Sequence, residues 1–294
     1  MMTWFEEYKR SLKNLSAEEP LDVFFFRPIA FIVVKIFYNF PVTPNHYSIL
    51  ALIAGLLSSY CFTLGTNGNF FWGGILFLIF AVLDCADGMV ARLKKNGSPY
   101  GRLVDGFVDY TVNASVYFSL AYGIQNSTEH YSGFFTPATL VILAGVSKAI
   151  HSICYDHYLT EFLAYSGGKL GFVQNELESL KDKIKNAENT KSSLIKIYAL
   201  KIYLFYTSMQ AGNKHENSVY DPKEYCQKNL LTLKLWGVIG PAVHILFLIL
   251  AMLFGNLYLL FYYAIIFANV WLVLMLLFQF KINSEMKFSK VEYK

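Results

Sequence analysis

The sequence predicts an all-α integral membrane protein, with an N-terminal interfacial amphipathic helix, six transmembrane helices and a polar helical insert between the fourth and fifth. Three observations predict it. Of 294 residues, 55% are hydrophobic and only 16% charged, against about a quarter charged in soluble domains. Apolar stretches recur at the length of a membrane span, about 20 residues. Lys and Arg are missing from alternate loops. The mean hydropathy of +0.37 agrees, and one membrane domain over 1–294 accounts for the length.

In chain order, the first twenty residues are of mixed charge and lack the apolar core and small-residue cleavage site of a signal peptide. Residues 21–40 (LDVFFFRPIAFIVVKIFYNF) are apolar but interrupted by Arg27, Pro28 and Lys35. That pattern suits a helix lying along the membrane, its basic side chains snorkelling to the surface. Pro41 and Pro44 then break the helix. Six apolar stretches follow, at 46–65, 70–92, 101–123, 134–160, 232–254 and 256–280. The polar insert, 165–230, contains NELESLKDKIKNAENTK, with Glu178 and Lys181, and Asp182 and Lys185, at helical spacing. It reads as a solvated helical hairpin turning near Asn186–Ser193. Gly240-Pro241 predicts a kink in the fifth span.

If the first strong span starts in the cytosol, the outer loops are 66–69, 124–133 and the turn near Gly255, and none holds Lys or Arg. This positive-inside pattern puts both termini and the insert in the cytosol. A sequon at Asn126-Ser127-Thr128 falls in an outer loop, as such tripeptides often do by chance. The four cysteines are widely separated and read neither as a zinc site nor as a disulfide framework. Nothing points to nucleic acid.

The second and third spans carry what apolar helices should not. Asp84 and Asp87 lie three apart, and Asp105 and Asp109 four apart, so each pair shares a helix face. A carboxylate within a bilayer costs several kcal/mol unless it is paired or faces water. Four together also repel one another, and a divalent cation relieves both penalties. The intervening LKKNGSPY turns the chain, so the two pairs meet at the cytosolic end of an antiparallel hairpin. Oxygen-only ligands favour Mg²⁺ or Mn²⁺. Gly88, Ala91, Gly101 and Gly106 leave room for close helix approach or for a ligand, and Arg92 suits a phosphate oxygen. The residues alone imply metal-assisted phosphoryl chemistry at a membrane surface.

Asp84-x₂-Asp87-Gly88-x₂-Ala91-Arg92-x₈-Gly101-x₃-Asp105-x₃-Asp109 resembles the complete signature of the CDP-alcohol phosphatidyltransferases, with all eight positions present across 26 residues. The resemblance implies an N-terminal amphipathic helix, six spans, and the signature at the cytosolic ends of the second and third. It implies a two-metal site with Asp84, Asp87, Asp105 and Asp109 as ligands, Asp109 being also the base for the acceptor hydroxyl. Gly88, Ala91 and Gly101 would pack on the cytidine nucleotide, and Arg92 would contact its phosphates. Pro44-Asn45 resembles a short motif near the cytidine, which makes Asn45 a nucleotide contact. The implied reaction joins a CDP-alcohol to a second alcohol and releases CMP. The family also admits a homodimer, which no feature of this sequence shows.

The resemblance leaves the donor open. CDP-diacylglycerol with a small polar acceptor such as inositol, glycerol phosphate or serine fits the six-span size. CDP-choline or CDP-ethanolamine with diacylglycerol is the alternative, against which stand the usual greater length of such enzymes and Asp105-Gly106 in place of Asp-His. A divalent-metal transporter would also carry intramembrane carboxylates, but the full signature speaks for an enzyme. A bacterial cell membrane is expected rather than the endoplasmic reticulum. Lys148 and His151 lie near the cytosolic end of the fourth span and read as snorkelling residues, with an acceptor headgroup as the other reading. Asp156 and His157 read as surface residues past that span. Lys94, Lys95 and Arg102 read as attracting anionic lipid and CDP phosphates, or as ordinary positive-inside residues. Trp236 and Tyr206 read as interfacial anchors, and His244 as a satisfied polar contact without a role.

Overall fold

The computed structural model describes residues 3–13, 17–97, 99–127, 135–167, 172–189, 197–198, 200–201, 204, 208, 219–286 and 288–289. The helices are α1 Trp4–Ser11, α2 Arg27–Phe37, α3 Pro44–Thr63, α4 Asn67–Leu93, α5 Pro99–Gln125, α6 Pro137–Ser166, α7 Phe172–Asn189, α8 Pro222–Trp236, α9 Pro241–Leu253, α10 Leu257–Phe261 and α11 Ala268–Glu285. Wide helical turns precede α2 (Asp22–Phe26) and α11 (Tyr262–Phe267). Two short strands, β1 Val219–Tyr220 and β2 Phe288–Ser289, pair antiparallel with Val219 opposite Ser289.

Five helical stretches among the described residues are long and apolar enough to cross a membrane: Pro44–Thr63, Asn67–Leu93, Pro137–Ser166, Pro222–Leu253 and Leu257–Glu285. Helix α5 matches α4 in length at 27 residues but is not among them, because it carries Arg102, Asp105, Asp109 and Asn113. The stretch that dilutes the apolar signal is therefore the one bearing half of the carboxylates.

The chain divides into two compact units, Met1–His151 with Gly237–Leu272, and Ser152–Trp236 with Val273–Lys294. In the first unit α3, α4 and α5 pack closely. A Cβ on Gly55 would fall 2.3 Å from Val112 Cγ1, so α3 and α5 touch where a larger residue has no room. Further along the same helices a Cβ on Gly123 would meet the Phe62 carbonyl oxygen at 1.8 Å, and Gly65 turns the chain there with φ of +67°. Between α3 and α4, Ser58 Oγ donates to the Gly73 carbonyl at 2.7 Å.

The residues before α3 fold against one another. Thr3 and Glu6 make a reciprocal capping box at the start of α1. The Tyr8 hydroxyl donates to the Val23 carbonyl at 2.6 Å, and the Trp4 and Tyr8 rings meet Phe31 edge-on. Arg27 does not snorkel freely: it pairs with Glu18 and lies 3.9 Å from Asp22. Lys35 pairs with Glu7 at 2.6 Å. Burial pushes the Asp22 carboxyl up to about 6 against the opposing pull of Arg27, with Glu18 adding to the rise. Glu19, only 5% exposed, accepts from the Ala242 amide at 3.2 Å and so caps the start of α9. The helix is interrupted at Gly237–Gly240, between the end of α8 at Trp236 and the start of α9 at Pro241.

In the second unit the aromatic residues stack inward. Trp236 is fully buried, stacked on Tyr158 at 4.5 Å, and its Nε1 donates to Gln279 Oε1 at 3.2 Å, so it is no interfacial anchor. Tyr206 lies outside the described residues. Gln279 continues the chain of bonds to Asn229 Oδ1 at 2.7 Å. Asp156 and His157 are half-buried inside α6, which runs on to Ser166, and do not lie past its end. Within the insert, α7 buries Leu180, Ile184 and Ala187 along one face and leaves Glu178, Lys181, Asp182 and Lys185 exposed. Lys201 pairs with Glu188 at 2.8 Å, as a returning arm of a hairpin would. The expected turn at 186–193 and the sequon at 126–128 lie partly outside the described residues.

Candidate metal and phosphate site

Helix α4 stays apolar until its last three turns, where Asp84 and Asp87 appear on one face. Helix α5 begins after Ser98 and sets Asp105 and then Asp109 one turn apart. The hairpin brings one oxygen from each of Asp84, Asp87 and Asp105 within 4.8 Å of the others. Asp87 is only 5% exposed, and its Oδ2 accepts from Ser48 Oγ at 2.6 Å. The Asp87 and Asp105 carboxyls are within hydrogen-bonding reach of each other. Asp109 lies within electrostatic reach of both Asp84 and Asp87.

Two carboxylates a few ångströms apart repel by about 3 kcal/mol at an effective dielectric of about 20. Here three converge, and Asp84 Oδ1 is buried without a hydrogen-bond partner among the described residues. An orphaned buried carboxylate oxygen among others of its kind is a position that a cation completes. The donor set is oxygen only, which Mg²⁺ and Mn²⁺ prefer. The residues therefore fit a divalent ion, with Asp84, Asp87 and Asp105 placed to hold it.

Behind Asp109 the polar face of α5 continues inward. Asn113 Nδ2 donates to the Asp109 carbonyl at 2.8 Å, and Asn113 Oδ1 accepts from Lys148 Nζ on α6. Lys148 is only 7% exposed and lies over the Tyr117 ring. It does not snorkel; it is drawn inward by Asn113 and by the charges of Asp109, Glu19 and Asp84. His151 and His244 are both fully buried, with Nδ1 of one 3.0 Å from Nε2 of the other. His244 is thus the polar contact expected of it, and its partner is His151.

Of the residues expected to border the nucleotide, Gly88 sits directly under Arg92: a Cβ there would lie 3.2 Å from Nη2 and 3.3 Å from Nη1. Ala91 is half-buried, with a Cβ on Gly97 falling 3.5 Å from its own. Gly101 is half-buried at the start of α5. Gly106 has no described residue within 4 Å of where a Cβ would go, so it serves no close helix contact among the described residues. Asn45 is exposed in the first turn of α3, three residues before Ser48. Lys94 donates to the Phe40 and Val42 carbonyls at 3.1 and 2.9 Å, which ties the turn before α3 to the end of α4. The Arg102 side chain lies outside the described residues.

Ser48 and Asn113 were not legible as site residues in the sequence. Both have a signal in hindsight: Ser48 is one turn beyond Pro44-Asn45, and Asn113 one turn beyond Asp109 on the same face.

Residues 41–170 match the family model described as CDP-alcohol phosphatidyltransferase. Among similar proteins, archaetidylinositol phosphate synthase of Pyrococcus horikoshii is 35% identical over 28% of this chain and 42% of its own length. Phosphatidylinositol phosphate synthase of Corynebacterium glutamicum is 27% identical over 32% of this chain and 42% of its own. The protein of that name from Mycobacteroides abscessus is 30% identical over 27% and 36%. The chain thus spans less than half the length of the relatives it matches. Residues 41–170, which hold the four aspartates, Arg92 and Lys148, are thus the part of the chain that is similar to the CDP-alcohol phosphatidyltransferase family.

Proposed function

We propose that this protein transfers a substituted phosphate from a CDP-linked lipid, CDP-diacylglycerol in the first place, to a small polar alcohol and releases CMP. The reading includes six spans with α5 as the third, residues 21–40 at the interface, and the site at the cytosolic face of a bacterial membrane. The observation that carries it is the convergence of Asp84, Asp87 and Asp105 within 4.8 Å inside the full eight-residue spacing. A lipid donor needs its diphosphate at headgroup depth and its chains in the bilayer, and carboxylates near the ends of apolar helices suit both.

Each residue has a task. Asp84, Asp87, Asp105 and Asp109 hold divalent metal, which when bound neutralises the diphosphate and the departing CMP. Arg92 holds phosphate oxygens over Gly88, where the missing side chain leaves room. Ala91, Gly101 and Asn45 border the cytidine. The acceptor oxygen bonds to the lipid-side phosphorus as the bond from that phosphorus to the bridging oxygen breaks, and CMP leaves with that oxygen. Asp109 takes the hydroxyl proton and passes it to solvent. The Asn113 bond to the Asp109 carbonyl fixes the helix turn on which this carboxylate stands.

The relatives are named for inositol phosphate lipids, which puts inositol phosphate at the head of the acceptor panel, with inositol, glycerol phosphate and serine. The test is CMP release by purified protein with Mn²⁺ or Mg²⁺ and CDP-diacylglycerol across that panel. CDP-choline with diacylglycerol runs alongside. Release with one acceptor assigns the reaction; no release with any donor and acceptor pair overturns it.

A further inference from the structure

The guanidinium of Arg92 is held from outside its own helix. Its Nε donates to the backbone carbonyl of Ser11, the last residue of α1. Ser11 is fully buried, and its hydroxyl turns back onto the Tyr8 carbonyl at 2.5 Å. A helix end leaves its last carbonyls without partners and carries the negative pole of the helix dipole, so a cation there satisfies both. With Nε engaged in this way, the plane of the fork is set, and its two terminal nitrogens lie over Gly88. That is the edge which binds a phosphate with two parallel bonds.

Helix α1 has eight residues, too few to persist alone in water, where about 12 are needed. Its place comes from docking: the Tyr8 bond to Val23, the Trp4 and Tyr8 rings on Phe31, and the Glu7 pair with Lys35. Two residues beyond Ser11, Lys13 brings its charge within reach of Asp105. All of this precedes residue 41, where the family match begins.

We propose that α1 is a positioning element for Arg92, its Ser11 carbonyl orienting the guanidinium so that both terminal nitrogens meet a phosphate of the nucleotide-linked donor. This rests on the donor reading given above. It makes residues 4–11 part of the donor site, where a helix lying on the surface as a membrane anchor would have no effect on nucleotide affinity.

The experiment is calorimetric titration of CDP, with Mn²⁺ present, into the full chain in lipid nanodiscs. Four proteins are compared: wild type, a chain lacking residues 3–13, Arg92→Ala, and the two changes combined. Loss of α1 and Arg92→Ala are each expected to weaken CDP about tenfold, the scale of one charge-assisted hydrogen bond. The combination is expected to be no weaker than Arg92→Ala alone, because both remove one interaction. Trp4→Ala, an exposed ring against Phe31 and Tyr8, loosens α1 without deleting it. It is expected to weaken CDP in the wild-type background only, and it decides the matter if the shortened chain does not fold. Unchanged affinity on losing α1, or effects that multiply, overturns the inference while leaving the donor reading intact. A wild type that binds no CDP overturns both.

Discussion

Ser48 Oγ donates to Asp87 Oδ2 at 2.6 Å, both side chains being buried, so the first turns of α3 hold a carboxylate of α4 in place. Removing such a partner behind a metal ligand weakens the metal by about 10- to 100-fold. Ser48→Ala is expected to raise the Mn²⁺ dissociation constant by about tenfold or more, read by manganese EPR titration, with the fold unchanged. An unaltered constant would mean that Asp87 is oriented by other groups.

Asp109→Asn tests the assignment of the base. The amide keeps the shape and cannot take the proton, so turnover is expected to fall by about 10²- to 10⁴-fold. CDP binding should persist, since Asp84, Asp87, Asp105 and Arg92 remain. A full rate in CMP release would show that another group accepts the proton.

Asn113→Leu removes the side-chain oxygen that accepts from the buried Lys148. Leaving a buried polar group unpartnered costs about 1–3 kcal/mol, whereas removing both partners costs less. Thermal unfolding is expected to show Asn113→Leu as the more damaging change, with part of the loss recovered when Lys148→Met is added. Equal and additive losses would sink the coupling.

Two glycines of α5 should behave oppositely. A Cβ on Gly123 would lie 1.8 Å from the Phe62 carbonyl, while one on Gly106 meets no described residue within 4 Å. Gly123→Ala is expected to lower stability by at least about 1–3 kcal/mol, as overpacking does. Gly106→Ala should leave the melting temperature unchanged or raised, because alanine is the better helix former. If the open space belongs to the nucleotide, it will still weaken CDP. Unfolding and CDP titration on both variants separate these effects.

Asp22 gives a pH dependence with a definite sign. Its carboxyl is pushed from 3.8 in the free chain up to about 6 when folded, chiefly by burial. The folded protein therefore keeps a proton that the unfolded chain has released. The resulting stabilisation is complete below pH of about 4 and lost as pH rises through about 6. Asp22→Asn lacks this loss, so wild type should weaken relative to the variant between those pH values. A constant difference in melting temperature across that window would contradict it.

The helices were legible because length and apolarity are local properties. The stretch at 70–92 became α4 at Asn67–Leu93, and 101–123 became α5 at Pro99–Gln125. The carboxylate triad was legible because the spacing of Asp84, Asp87 and Asp105 puts them on helix faces that a short turn must bring together. What the sequence hid depends on pairing between distant segments. Lys148 reads as a snorkelling residue until Asn113, 35 positions away, is seen to receive it. Trp236 reads as an anchor until Gln279 accepts its indole proton. Arg27 and Lys35 read as surface cations, yet acids earlier in the chain claim them. Polar residues in an apolar chain are the ones whose location depends most on partners, and partners are not a property of local pattern.

The contact between Gly123 and the Phe62 carbonyl reaches further than the packing it serves. Ser48 stands fourteen residues before Phe62 on α3, and Asp109 fourteen before Gly123 on α5. At about 1.5 Å per residue, each lies about 21 Å from that shared point. Two equal arms rise from one fixed footing, so a slip of either helix at its far end would tilt the hydroxyl that steadies Asp87 away from the level of Asp109. The altitude of the chemistry is levelled from the far ends of the same two helices, and variation there would show as lost activity in a site that no substitution had touched.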